Sequence, residues 1–385
     1  MRAPSFGANG KNGKEYNVAL FKQRDRVLGI DIGPSSVKLM ELSRNGQRYK
    51  VEAMAIEPLP EGAMENRNPT VLDEVGAALK RALKTSGTRL KKAAVAVPTS
   101  SVITRTIPMS AEFSEDEIEA HIQLDASQYI PFPLEEIYLD FQIVQQASKV
   151  DANTQEVMIV ASRKENVDLR KEVLQEAGLK AAIVDVEAYA LENTARFFSQ
   201  ESLKQEENVQ INLNKIDGLL TALVDIGADI TTLYVLRDEK VIFTREQAFG
   251  SEQLTTAIAD FYDLPKDRAE LAKRSGDLSE DYSVSVLGPF QQAAAEQIGQ
   301  ALQFFFSSDH YASGRHSQLE RITLTGGGAM TAGLDRIVAE RLDIPVIIGN
   351  PFTQMSNITR VNRHSLFRDA PLFGVACGLA LRSFD

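Results

Sequence analysis

The sequence predicts an α/β protein built from two duplicated halves around a cleft, with an α+β subdomain inserted into the first half. Three observations predict it. The stretch "LGIDIGPSSVKLMEL" at residues 28–42 returns with altered lettering as "LVDIGADITTL" at 223–233, and laying 27–42 on 221–236 without gaps gives five identities in sixteen positions. Around each copy the elements follow one order, a hairpin sheet and then a helix, as an internal duplication requires. At 385 residues the chain also exceeds what one hydrophobic core usually spans.

From Val27, "VLGIDIG" and "SVKLMELS" read as strands joined at Gly33, and "YKVEAMAIEPLP" continues as a third strand ended by prolines. In "NPTVLDEVGAALKRALKTSG" the apolar residues Val71, Val75, Ala78, Leu79 and Leu83 recur at helical spacing, with Thr70 as the candidate cap and Gly87 as the stop. "KKAAVAVPTS" is an apolar strand that completes a strands, helix, strand unit. Residues 101–183 break this rhythm. They hold "SVITRTIPM", a helix opening on a Ser114/Glu117 capping box, "PFPLEEIYLDFQIV", the polar hairpin loop "QQASKVDANTQ", the strand "EVMIVASRK" and the helix "ENVDLRKEVLQEAGL". "AAIVDVEAYALENTARFF" then resumes the first half as strand into helix. After the polar linker "SQESLKQEENVQINLNKIDG" the second copy begins with "LLTALVDIG", "TTLYVLRD" and "KVIFTREQAF".

Residues 1–26, rich in Gly, Asn and charge with no sustained period, read as a mobile N-terminal extension in which "NVALFK" is a candidate docking patch. The expected domains are 27–100 with 184–216 for the first half, 101–183 for the insertion, 217–249 with 319–385 for the second half, and 250–318 for a subdomain of that half.

Composition narrows the function. Hydrophobic residues make up 43% and charged residues 25%, an ordinary soluble mix. No apolar run reaches the roughly 18 residues of a membrane span and no signal peptide opens the chain, so a cytoplasmic protein is expected. With 42 basic against 53 acidic side chains, the net charge of −11 argues against nucleic acid as a partner. The one cysteine, Cys377, sits among apolar and small residues and reads as a buried small hydrophobe. Four scattered histidines show no zinc spacing.

A strand that ends in Asp, an apolar residue and Gly, then Ser35 and Ser36, offers close backbone approach and hydrogen-bond donors to an anion. The carboxylates of Asp31 and Asp225 would repel phosphate, and make sense if a hydrated Mg²⁺ lies between them and the phosphates. The bland alternative is a plain turn. Against it stands "TLTGGGAMTAGL", an apolar strand running into Gly326, Gly327 and Gly328, where a flat base and ribose can lie on bare backbone.

The ordered set "GIDIGPSSVKL", "VDIGADITTL" and "LTGGGAM" resembles the two phosphate motifs and the adenosine motif of the actin, sugar kinase and heat-shock chaperone superfamily. That resemblance implies an actin-like (ribonuclease H-like) fold, ATP and Mg²⁺. It makes Lys38 a β-phosphate contact, Gly227, Ala228 and Thr231 the second phosphate turn, Gly250 of "AFGSEQLT" a glycine turn before a helix, and Met330 part of the adenosine motif. It also makes Glu270 and Lys273 of "AELAKRSG" the pair that touches ribose and base, and "APLFGVACGLAL" a connecting helix where Gly374 and Gly378 pack closely.

The insertion at 101–183 resembles the relocated subdomain of the division protein FtsA. More narrowly, "YKVEAMAIEPLPEGA", "QYIPFPLEEIYLDFQI", "RKENV", "DVEAYALE", "REQAFG", "LQFFF" and "ACGLALRSFD" are similar to the PilM family of type IV pilus assembly. This likeness implies an ATP-binding scaffold at the inner membrane that docks the cytoplasmic N-terminal tail of a PilN-like membrane protein. It further implies linkage to pilus motor ATPases and the platform protein, pilus biogenesis, twitching motility, and membrane association only through the partner. The amphipathic terminal helix of FtsA is not matched here.

Hydrolysis would require a water aligned on the γ-phosphate, and Glu187, with Asp185 two residues before it, is the candidate to orient it; Asp225 is the second candidate for the chemistry. Glu187 equally suits the first turn of a helix. Slow turnover is the expectation. Three alternatives stay open: an active ATPase or small-molecule phosphotransferase, a homo-oligomer, and a filament former. The rings and prolines of "YIPFPLEEIYLDF" suit either a docking groove or a plain packed edge.

Overall fold

The computed structural model describes residues 6–7, 26–145, 153–205, 220–308, 319–357 and 361–385. Most of the expected loop "QQASKVDANTQ", the linker beyond residue 205, the patch "NVALFK" and nearly all of the N-terminal extension lie outside them. Two compact units divide the chain, Met1–Asn193 with Val375–Asp385 and Thr194–Gly374.

In the first unit, β1 (Leu28–Ile32), β2 (Ser36–Asn45) and β3 (Arg48–Pro58) form an antiparallel meander, with Asp31 directly opposite Lys38 across the first turn. Helix α1 (Leu72–Ser86) buries Val75, Ala78, Leu79 and Ala82 and leads into β4 (Lys92–Val97), which lies parallel to β1. Gly87 ends α1 in the left-handed conformation that glycine adopts without strain, at φ 65°. Thr70 does not cap the helix. The N-cap is Val71, and the Thr70 hydroxyl donates instead to the Gly62 carbonyl at 2.8 Å, because the preceding turn competes for it.

The insertion carries β5 (Val102–Ser110), α2 (Glu115–Tyr129), β6 (Ile137–Gln145), β7 (Thr154–Arg163) and α3 (Lys164–Glu176). β7 lies between β5 and β6, antiparallel to both. The Ser114/Glu117 capping box opens α2. Ile118 and Ile122 of α2 bury against Ile107, Val157 and Ile159 of this sheet. The "YIPFPLEEIYLDF" rings are turned inward: Tyr129, Phe132 and Phe141 pack on that core, Arg163 lies 4.3 Å over the Phe132 ring, and the Tyr138 hydroxyl donates to Asp168 at 3.1 Å.

β8 (Lys180–Val186) then returns parallel to β4, and α4 (Glu187–Gln205) follows, taking in the start of the expected linker. The strands of the main sheet of this unit follow the order Phe6–Gly7, β8, β4, β1, β2, β3. Phe6–Gly7, in the expected extension, pairs antiparallel with Val184 and Ile183. β4 is buried from Ala93 to Val97, as a parallel strand covered on both faces requires.

The terminal helix Gly374–Leu381 reaches this sheet through its first-unit residues. A Cβ on Gly29 would lie 2.0 Å from the Ala376 carbonyl oxygen and 2.5 Å from the Ala380 nitrogen. Ser383 Oγ accepts the Val27 N–H at 3.0 Å. Arg382 Nε pairs at 3.1 Å with Asp185, whose side chain is fully buried. Burial pushes the Asp185 carboxyl up to about 6, against the pull of Arg382 and the Val186 N–H. A carboxyl whose folded pKa is raised stabilises the fold below its unfolded value, and that contribution is lost as pH rises through about 6. The unfolding midpoint of Asp185→Asn, measured by circular dichroism, is therefore expected to lack the part of the decline between about pH 4 and pH 6 that the unaltered chain owes to this group.

The second unit repeats the opening motif. β9 (Leu220–Ile226), β10 (Thr231–Arg237) and β11 (Lys240–Gln247) form a meander in which Asp225 stands opposite Thr232, at the register position that Asp31 and Lys38 occupy in the first. Helices α5 (Glu252–Tyr262), α6 (Lys266–Ser275) and α7 (Gly288–Phe306) follow. β12 (Leu319–Thr325) then inserts parallel to β9, and α8 (Leu334–Leu342) leads to β13 (Val346–Ile348) at the far edge. Val224 and Ile226 of β9 bury with Ile258 of α5, Phe290 and Ile298 of α7 and Val338 of α8 in one core. Among the described residues no helix is long and apolar enough to cross a membrane.

Candidate functional site

The candidate residues fall into two sets, one in each unit. In the first, the β1–β2 turn closes when the Gly33 N–H donates to the Ser36 carbonyl at 3.1 Å, leaving Ser35 exposed and Ser36 buried. Lys38 Nζ donates to Asp31 Oδ2 at 2.9 Å, with the two side chains only 12% and 13% exposed. A Cβ on Gly33 would lie 3.3 Å from that ammonium, so the glycine leaves the lysine room. The turn thus gathers Asp31, Gly33, Ser35, Ser36 and Lys38.

Glu187 and Asp185 do not act together. β8 ends at Val186 and Glu187 is the first residue of α4, so the shared-face rule for residues two apart on a strand stops between them. Asp185 goes to Arg382, whereas the Glu187 carboxylate pairs with the Arg67 guanidinium. Glu187 also stands in the first turn of its helix, where the macrodipole favours a negative charge.

Sequence reasoning missed Arg170. Its side chain is almost wholly buried on α3 and donates from Nε to the Ala96 carbonyl at 2.6 Å. It also donates from Nη1 to Asn68 Oδ1 at 2.9 Å and from Nη2 to the Arg67 carbonyl at 2.8 Å. Burial brings this guanidinium down to about 10, with Glu187 and Asp31 acting in the opposite sense. An arginine on the helical face of "DLRKEVL" was the available signal, but its partners stand about a hundred positions upstream.

In the second unit the candidates form a connected chain of contacts. Gly326 has φ +82°, and a Cβ there would stand 2.4 Å from Asp225 Oδ1 and 2.6 Å from the Ile226 carbonyl. Only glycine fits. Gly328 is equally constrained, since its Cβ would lie 2.1 Å from Ile226 Cγ2. Gly327 between them is exposed, and a Cβ there would meet only Leu372 Cδ2, at an ordinary 3.5 Å. Met330, 43% exposed, ends the short 3₁₀ turn Gly327–Met330.

The second turn binds itself to the next helix. Gly227 N–H donates to the Ile230 carbonyl, while the Gly227 and Ala228 carbonyls accept from Ser251 and Glu252, all at 2.9 Å. A Cβ on Gly250 would fall 2.0 Å from the Ala228 carbonyl oxygen, so this glycine is required by the crossing of two backbones. Thr231 is buried, and its hydroxyl donates to the Phe249 carbonyl at 2.7 Å, which engages its proton inside the fold.

On α6, Lys273 pairs with Glu270 and donates to Thr255 Oγ1 at 2.6 Å and to the Ser251 carbonyl at 3.4 Å. This carries the Glu270–Lys273 pair to the start of α5, next to Gly250. Burial raises the Glu270 carboxyl, but hydrogen bonds from Lys273, Arg274 and Thr255 outweigh it and hold the group below its ordinary value.

Among the described residues no group of three or more His, Cys, Asp or Glu side chains is placed to hold a metal directly. A Mg²⁺ that keeps its waters needs one or two carboxylates, and the glycine cradle pressed against the Asp225 carboxylate fits that form of binding. Lys38 pairs with the Asp31 carboxylate, whereas the Asp225 carboxylate lies close against Gly326.

The sequence profile of the type IV pilus assembly protein PilM family matches residues 29–384. Among solved structures, the chain is similar to the "PilM-PilN type IV pilus biogenesis complex", at 28% identity and a TM-score of 0.74 over 94% of this chain and 99% of the other. It is also similar to the ethanolamine utilization protein EutJ from Carboxydothermus hydrogenoformans, at 15% identity and a TM-score of 0.54 over 93% and 89% of the two chains. The architecture is actin-like α/β, as the two aspartate turns and the glycine run led one to expect.

Proposed function

The chain belongs to the PilM family of type IV pilus assembly proteins, and on that premise we propose that it is a Mg·ATP-binding scaffold of the pilus inner-membrane platform. It docks the cytoplasmic N-terminal tail of a PilN-like membrane protein and links that tail to the pilus motor ATPases and platform protein, in support of pilus biogenesis and twitching motility. The family match across residues 29–384 supports the pilus role, together with the likeness to a PilM–PilN complex over 94% of the chain. One observation carries the nucleotide: Gly326 gives up its side chain to the Asp225 carboxylate, while the adjacent Gly327 presents bare backbone to solvent.

Bound Mg·ATP would supply a phosphate tail and a cation to the two aspartate turns. Ser35 would donate to phosphate oxygens, Lys38 would add positive charge and Asp225 would orient water on the cation, with Gly33 and Gly227 letting the backbone come close. Gly327, Gly328 and Met330 would flank the base, and Glu270 and Lys273 would lie toward the ribose. The pairing of Glu187 with Arg67 supports slow hydrolysis over active turnover.

Gly327→Val tests the base surface through bulk at a position where a Cβ meets only an ordinary contact, 3.5 Å from Leu372 Cδ2. Calorimetry is expected to show loss of ATP binding with an unchanged circular dichroism spectrum; retained binding would move the base elsewhere. For the pilus role, deleting the cytoplasmic tail of the PilN-like partner should release this protein from membranes in cell fractionation. Persistent membrane attachment would contradict docking through that tail.

A further inference from the structure

A buried arginine, Arg170, holds the tip of the six-residue hairpin Met64–Pro69. The two short strands Met64–Glu65 and Asn68–Pro69 pair antiparallel and are joined by Asn66 and Arg67, at φ 49° and 64°. Two consecutive left-handed residues make the tight turn that suits a hairpin, but such turns favour glycine, and arginine adopts that conformation at a cost. The surroundings fix it there. Arg170 grips the Arg67 carbonyl and the Asn68 side chain, and Asn68 Nδ2 donates to Asn166 Oδ1 at 3.1 Å.

This construction presents Arg67 to the Glu187 carboxylate, and the two form an ion pair. Both side chains are mostly shielded, at 18% and 13% exposure. The guanidinium engages one oxygen of this carboxylate, Oε2, and a charge-assisted hydrogen bond there weakens the group as an acceptor of a proton from water.

We infer that Arg67 is a positioning residue that latches Glu187 and thereby holds nucleotide hydrolysis off. The inference rests on the proposed binding of Mg·ATP. With the latch open, Glu187 orients a water on the γ-phosphorus and takes up its proton. The water oxygen forms the new P–O bond, the bond to the nucleoside diphosphate breaks, and inorganic phosphate leaves. With the latch closed, the chain holds ATP without consuming it, as a scaffold requires.

The test is Arg67→Gly in the full chain. This variant removes the guanidinium and places at φ 64° the residue that tolerates it best, so loss of fold is not the expected confounder; Arg67→Gln serves as a second variant. At saturating Mg·ATP both are expected to release phosphate at least about tenfold faster than the unaltered chain, with calorimetric ATP affinity within about threefold. Arg67→Lys should stay slow, and adding Glu187→Gln to Arg67→Gly should return the rate to the unaltered level. Without nucleotide, the shifts in unfolding midpoint of Arg67→Gln and Glu187→Gln should add to more than that of the double variant, as for groups that share one contact. An unchanged rate in both Arg67 variants overturns the latch, and so does a fast rate that survives Glu187→Gln. If the unaltered chain binds no Mg·ATP, the latch falls together with the reading it rests on, and calorimetry separates that result from the others.

Discussion

Asp225→Ala is expected to yield a folded protein that has lost Mg·ATP binding, by about a hundredfold or more in calorimetric affinity. The fold should survive because the change deletes a side chain at the end of β9 without adding bulk, and the β9–β12 pairing on which it stands is made by backbone. Binding should fail because Asp225 is the group proposed to orient water on the cation, while the Asp31 carboxylate pairs with Lys38. Gly326 reinforces the point, since its φ of +82° exists to let the backbone close on that carboxylate. Unchanged affinity in Asp225→Ala would remove the second turn from the nucleotide site. The matching change Asp31→Ala should have the smaller effect on the cation and the larger one on the placement of Lys38.

Gly29→Ala is expected to damage the fold itself. The new methyl group would lie 2.0 Å from the Ala376 carbonyl oxygen and 2.5 Å from the Ala380 nitrogen, and both obstacles are backbone of the terminal helix. Neither can yield as a side chain would, so the helix must separate from β1. Overpacking a core typically costs about 1–3 kcal/mol, and a rigid obstacle puts this site at or above the upper end. For a unit of this size, about 3 kcal/mol lowers the unfolding midpoint by roughly 6–12 °C, readable by circular dichroism. Gly327→Ala, with only a 3.5 Å contact to Leu372, is the control expected to leave the midpoint in place. Equal midpoints for the two variants would show that β1 and the terminal helix do not pack as described.

Features that depend on neighbours in sequence were legible. The Ser114/Glu117 box, the Gly87 stop and both aspartate turns are set by residues within a few positions, where local chemistry decides the backbone. The duplicated hairpin was legible because its side chains alternate between two faces, and the register then places Asp31 and Asp225 alike. Thr70 misled because a hydroxyl before a helix can serve the turn behind it as well as the helix ahead.

Features that depend on distant partners were not legible. Nothing near Gly29 shows that a helix nearly 350 residues later will press on it. Asp185 read as a companion to Glu187 because alternation was extended past the end of a strand, and its actual partner Arg382 lies in the last residues of the chain. The Gly250 motif was visible, but whether its glycine serves a phosphate or a backbone crossing depends on Ala228, which sequence spacing does not reveal. The Arg67–Glu187 pair required three separate segments, held together by Arg170.

The most direct test of the scaffold account is calorimetric titration of the full chain with Mg·ATP, then with a synthetic peptide of the N-terminal tail of a PilN-like protein, while phosphate release is followed in parallel. The account predicts saturable binding of both ligands with little phosphate released over the titration. Rapid phosphate release without peptide binding would contradict it and make the chain an enzyme acting on another substrate.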